Sequence, residues 1–202
     1  MVITALLNDD FIDKFKEKER LNIGKNMSTR GHVAIKENGK YRYIYNHHDS
    51  YIDGLGITLY KHYNNVEAVR ALIGLGNTSS IYNTIENTAN SYREHLDRPM
   101  EERGTVADFR ESKRWEDYCN DEVTWEECEA LETEDVSEVL GEEFTYIFDV
   151  EENKWYMAYD DDKYQLRDLE EVLHSEKLLE KLFSNMYYKE YLPKFYEKCL
   201  NA

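Results

Sequence analysis

Arg30, His47, His48, Asp49 and Tyr51 bring proton-moving and anion-holding side chains into one short stretch of this 202-residue chain. Imidazoles titrate near neutral pH and ligate metals, a carboxylate orients an imidazole, and a guanidinium grips phosphate or carboxylate. Gly54-Leu55-Gly56 follows and opens a helix, whose first amide N–H groups favour an anion. Arg30, His47, His48, Asp49, Tyr51, Gly54 and Gly56 therefore describe a binding or hydrolytic corner for a nucleotide-like anion. The same residues also make sense as structure: an Arg30–Asp49 ion pair, with the histidines and tyrosines capping a sheet edge.

A β-hairpin must deliver these groups. His32 to Glu37 alternates, Asn38-Gly39 supplies a type I′ turn, and Tyr41 to Asn46 alternates again. Val33 and Ile35 share one face of the first strand, and Tyr41, Tyr43 and Tyr45 share one face of the second. Beyond the corner come a helix carrying Leu59, Tyr60 and Tyr63 and a second from Val66 to Ile73, stopped at Gly74. Residues 83–114 are polar and weakly periodic, and read as an irregular connection. Thr124 and Glu127 form a capping-box-like helix start. A second hairpin joins Phe144–Asp149 to Trp155–Tyr159. Closing helices are marked by Leu169, Val172 and Leu173, then by Leu178, Leu179, Leu182 and Phe183, with Pro193 bending or restarting the tail.

This pattern predicts an α+β fold: an antiparallel sheet of two sequence-distant hairpins, which should pair because a lone hairpin is marginal, covered by helices. Residues 1–26 read as an N-terminal helical arm, 27–174 as the α+β domain and 175–202 as a C-terminal helical extension. The tail tyrosines, Tyr187, Tyr188, Tyr191 and Tyr196, suit packing on the core more than an interface.

Charge narrows the function classes. The formal net charge is −17, from 42 acidic and 25 basic residues. Direct nucleic-acid binding and an anionic membrane surface are disfavoured, since both need a positive face. A basic protein partner fits better. Glu116 to Asn153 contains no Lys or Arg, and Glu126, Glu127, Glu129, Glu132, Glu134, Asp135 and Glu138 form a candidate partner-binding face there. A simply solvated face is the commoner fate of a charge run.

No metal or other cofactor is implied. Cys119 and Cys128 lack zinc-type ligand spacing, and Asp160-Asp161-Asp162 lacks the glycine and distal glutamate of a calcium loop. An N-terminal nucleophile at Ser28 or Thr29 would need processing that nothing marks. Three unpaired cysteines and no apolar stretch of membrane-spanning length suit the cytoplasm.

Several segments carry a family resemblance: Met27-Ser28-Thr29-Arg30-Gly31, Tyr45-Asn46-His47-His48-Asp49-Ser50-Tyr51, Gly54-Leu55-Gly56, Leu59-Tyr60-Lys61-His62-Tyr63 and Leu72-Ile73-Gly74-Leu75-Gly76-Asn77-Thr78-Ser79-Ser80. The chain resembles a family of small uncharacterised bacteriophage and mobile-element proteins, closely over residues 27–81 and loosely over 143–173. Members begin with Met, a small residue and Thr-Arg, and carry a His-Trp-Asp-Gly-Tyr-Pro-like box. Here His48, Ser50 and Ile52 stand where Trp, Gly and Pro are common, and Met27 reads as an internal or alternative start. The resemblance supplies no catalytic residue. It implies an accessory protein of the host bacterial cytoplasm that binds and inhibits a host defence or nucleic-acid-binding protein without enzymatic chemistry. The alternative is the anion-binding or hydrolytic corner at Arg30, His47 and Asp49.

Overall fold

Asn38 and Gly39 adopt positive φ, 52° and 77°, as a two-residue type I′ turn requires. They fold Gly31–Glu37 (β1) back on Lys40–Asn46 (β2), in antiparallel register from Gly31 opposite Asn46 to Glu37 opposite Lys40. The computed structural model describes residues 29–86, 92–107, 129–183 and 192–202. The expected arm over 1–26, the Thr124 capping box, Cys119, Cys128, Glu126, Glu127, Tyr187, Tyr188 and Tyr191 lie outside the described residues.

After β2 a π-helical turn, Ile52–Gly56, runs into α1 (Ile57–His62), followed by α2 (Val66–Ile73). Asn65 caps α2, its side chain accepting the Ala68 N–H. Then come β3 (Thr78–Ser80), α3 (Tyr92–Asp97), β4 (Val106–Ala107), β5 (Leu131–Thr133) and α4 (Val136–Val139). The second hairpin is β6 (Phe144–Asp149) and β7 (Lys154–Tyr159). It is followed by β8 (Arg167–Asp168), α5 (Leu169–Leu173), α6 (Glu176–Phe183) and α7 (Leu192–Leu200). Pro193 lies within α7.

The eight strands among the described residues form one sheet in the order β4-β3-β2-β1-β6-β7-β8, with β5 also pairing β2. The fold is α+β and the sheet is mostly antiparallel, with one correction to the expected all-antiparallel sheet. β1 runs parallel to β6, from Gly31 opposite Phe144 to Lys36 opposite Asp149, and β2 meets β3 in parallel at Asn46 and Thr78. A parallel pair needs a long crossover, which the helical stretch between β2 and β6 provides.

The parallel seam puts Val33 beside Tyr146 and Ile35 beside Phe148. They join Ile44, Phe144, Trp155 and Met157 on one face, under the helices. Leu179, Phe183 and Cys199 from α6 and α7 lie in this same core. The opposite face carries a smaller cluster of Ala34, Tyr43, Ile147 and Val139, with Tyr41 and Val136 alongside. All six residues of β6 are buried because both of its faces are covered. No helix among the described residues is long and apolar enough to cross a membrane.

Candidate functional site

The corner after β2 is held from inside by a buried polar network. Asn46, Ser50 and Thr78 are wholly buried. Asn46 Nδ2 donates to the His48 carbonyl at 2.6 Å and to Ser50 Oγ at 2.8 Å, and its Oδ1 accepts from Thr78 Oγ1 at 3.0 Å. Every arm of the amide is therefore used, as burial demands. The backbone N–H groups of His47 and His48 donate to the carbonyls of Thr78 and Ser79. The sequence marks Asn46 as the end of a strand and as part of the resemblance, and gives neither Asn46 nor Thr78 a role at the corner. Their signal was an amide ending one strand and a hydroxyl opening another, which only the β2–β3 pairing brings together.

On this frame the histidines and Asp49 make local contacts. His47 and His48 meet ring edge to ring face at 4.3 Å, and His47 Nδ1 lies 3.1 Å from the Tyr45 hydroxyl. Asp49, in the left-handed region at φ 58°, accepts the Tyr51 hydroxyl at 2.8 Å. Arg30 lies apart. Its backbone carbonyl accepts the Phe144 N–H and its charge faces Glu143, and no ion pair joins it to Asp49.

The Gly54-Leu55-Gly56 amides do not point outward for a ligand. Gly54 and Gly56 N–H both bond to the Tyr51 carbonyl, and Leu55 N–H to the Asp49 carbonyl. Gly54 is required by close approach: a Cβ there would stand 2.7 Å from the Asp49 carbonyl and 2.8 Å from the Tyr51 ring. Asp53 lies 3.8 Å from the Lys198 ammonium of α7. Burial raises its pKa above the ordinary carboxylate value, with Lys198 opposing. Nearby, the wholly buried Tyr146 hydroxyl donates to the Ser50 carbonyl. Burial first, then the Asp53 charge, pushes Tyr146 well up and the buried Cys199 thiol to about 12.

The described part of the acidic segment is fixed to the sheet. β5 pairs with β2 through Thr133–Tyr41, Glu132–Arg42 and Leu131–Tyr43. In α4, Val136 and Val139 turn inward to Tyr43, Ala34 and Ile147. The Val139 carbonyl accepts both His32 Nδ1 at 2.7 Å and Thr145 Oγ1 at 3.2 Å. His32 also packs edge-on against Tyr43, with ring centroids 5.1 Å apart. Asp135 caps α4 by accepting the Ser137 N–H, and the Ser137 side chain first and this backbone bond second lower its carboxyl pKa.

Glu129, Glu132, Glu134 and Glu138 consequently face solvent. Lys40 reaches Glu132 at 3.1 Å and Glu134 at 4.0 Å, whereas Glu129 and Glu138 make no ion pair among the described residues. Elsewhere, Asp160-Asp161-Asp162 is satisfied internally: Asp160 accepts the Asp161 N–H, Asp161 the Tyr159 hydroxyl, and Asp162 pairs with Arg167. No group of three or more His, Cys, Asp or Glu among the described residues is placed to hold a metal ion.

No family model, curated protein or solved structure matches the chain. Function is therefore read from the site itself.

Proposed function

We propose that this chain is a binding protein, without enzymatic chemistry, that offers its acidic segment to a basic surface on another protein. One observation carries the reading. Glu129, Glu134 and Glu138 are exposed on a segment whose valines and backbone are anchored to the sheet. Carboxylates on anchored backbone hold their spacing, and complementary charge sets partner choice and association rate. The motif resemblance suggests the setting: a phage or mobile-element accessory protein that inhibits a host defence or nucleic-acid-binding protein in the bacterial cytoplasm. The anion-pocket alternative has less support, because the Gly54–Gly56 amides bond within the turn and no ion pair joins Arg30 to Asp49.

Affinity capture from a bacterial host lysate tests the reading, using the wild-type chain beside a Glu129→Lys/Glu134→Lys/Glu138→Lys variant. A partner captured at low salt by the wild type, weakened by added salt and lost in the variant supports the acidic face. Salt screens exposed charges beyond about 10 Å at 0.1 M. Equal capture by both proteins, or capture indifferent to salt, removes it.

A further inference from the structure

We infer that the outer edge of β5 receives an extended, Lys/Arg-bearing segment of the partner as an added strand. The inference rests on the acidic-face reading and specifies how the partner sits.

Among the described residues β5 pairs on one side only, with β2. Among the described residues no backbone hydrogen bond reaches its other side. An open strand edge presents N–H and C=O groups in a row, a template for another extended chain. Leu131 stands on this edge, 57% exposed, on the same sheet face as its cross-strand neighbour Tyr43. An incoming strand would cover Leu131 with an apolar residue of its own.

Charge selects the occupant. Glu132 and Glu134 are 58% and 78% exposed, and a single ammonium, Lys40, serves both. Glu129 lies just before the strand and Glu138 just after it, each without an ion pair among the described residues. A second copy of this chain would set identical carboxylates against one another across the new pairing, and like charges directly opposite are destabilising. A segment with Lys or Arg at alternate positions meets the same carboxylates favourably while its backbone completes the edge.

The test uses a short capped peptide alternating lysine and threonine around a central valine. Its control is the same peptide with alternate backbone amides N-methylated, which keeps the charge and removes strand pairing. Binding to the full chain is followed by titration calorimetry and by the protein's amide NMR signals. The expected result is binding of the parent peptide with signal changes centred on Leu131–Thr133. The N-methylated peptide should bind at least about tenfold more weakly, a loss of about 1.4 kcal/mol. Leu131→Lys, at an exposed position, should weaken the parent peptide severalfold while leaving the thermal melt unchanged.

Equal binding of both peptides, signal changes centred elsewhere, or no binding of either overturns the inference. The two readings fail separately. Charge-dependent capture with no N-methyl effect leaves the acidic face and removes the strand addition. A clear N-methyl effect with no charge-dependent partner does the reverse.

Discussion

The Lys36 ammonium lies 2.7 Å from an Asp149 carboxylate whose side chain is only 4% exposed. The two residues are register partners at the end of the parallel β1–β6 seam. Asp149 also accepts the N–H groups of Glu151 and Glu152, so one carboxylate closes the seam and the second hairpin's turn together.

Acid should loosen this junction. Burial works to raise the Asp149 pKa, but the Lys36 hydrogen bond and the Glu152 and Glu151 amides outweigh it, so the folded value is lowered. A lowered folded value stabilises the protein above the unfolded carboxylate pKa, and that gain is lost as pH falls through the folded value. Urea midpoints should therefore drop on acidification below about pH 4, the unfolded aspartate value. Asp149→Ala should cost about 1–3 kcal/mol at pH 7 through lost bonds to buried groups, and should flatten the acid limb. An unchanged acid limb in the variant would show that other carboxylates control it.

Asp53 should behave in the opposite sense. Its folded pKa is raised, so the fold binds a proton more tightly than the unfolded chain, and ionised Asp53 costs stability at higher pH. Lys198 offsets this only in part, from 3.8 Å and with a half-exposed side chain. Asp53→Asn should thus be neutral or up to about 1 kcal/mol more stable at pH 8, with the difference vanishing near pH 4. Denaturant melts at the two pH values decide it, and a clearly weaker variant at pH 8 would mean that the Lys198 attraction wins.

Removing the amide of Asn46 should take its donor from the buried His48 carbonyl and leave Ser50 Oγ and Thr78 Oγ1 only their longer bonds to the Asn46 and Tyr45 carbonyls. Asn46→Ala should cost about 1–3 kcal/mol. Amide hydrogen exchange should quicken at His47 and His48, whose N–H groups hold this corner to the Thr78 and Ser79 carbonyls. Loss of stability with unchanged exchange at the corner would locate the network's role elsewhere.

Gly54→Ala forces a methyl to within 2.7 Å of the Asp49 carbonyl, too close for any real contact. The backbone must shift, at about 1–3 kcal/mol. At Gly39 a Cβ meets open space, but φ of 77° penalises any side chain, at about 1 kcal/mol for alanine. Thermal melts should therefore rank Gly54→Ala below Gly39→Ala, and the reverse order would remove the crowding argument.

Cys199 is fully buried and its thiol is held near 12 by burial and by Asp53. A thiol reagent should label it at neutral pH only as fast as α7 opens, and quickly in urea. Peptide-level mass spectrometry separates it from the other two cysteines. Rapid native labelling would mean that α7 is loosely docked.

What could be read directly from the sequence is local. The Asn38-Gly39 turn, the alternation of Val33 and Ile35, and the α2 span from Val66 to Ile73 follow from backbone preference and periodicity within a few residues. The corner residues were also recognisable as a neighbourhood, since His47, His48, Asp49 and Tyr51 lie within one loop. The sense of the β1–β6 seam was not legible, because alternating apolar residues serve parallel and antiparallel neighbours equally. Nor was the role of Asn46, whose partner Thr78 lies thirty-two residues away. The hairpin, by setting Gly31 beside the end of β2, suggested an Arg30–Asp49 pair, yet pairing with β6 turned the Arg30 backbone toward Glu143 and Phe144. Likewise, composition marked the acidic run, but only the burial of Val136 and Val139 against Tyr43 decided which way its carboxylates point. Turn and helix preferences act within a few residues. Strand direction, side-chain partners and exposure depend on atoms brought together from distant parts of the chain, so they take definite values only in the folded structure.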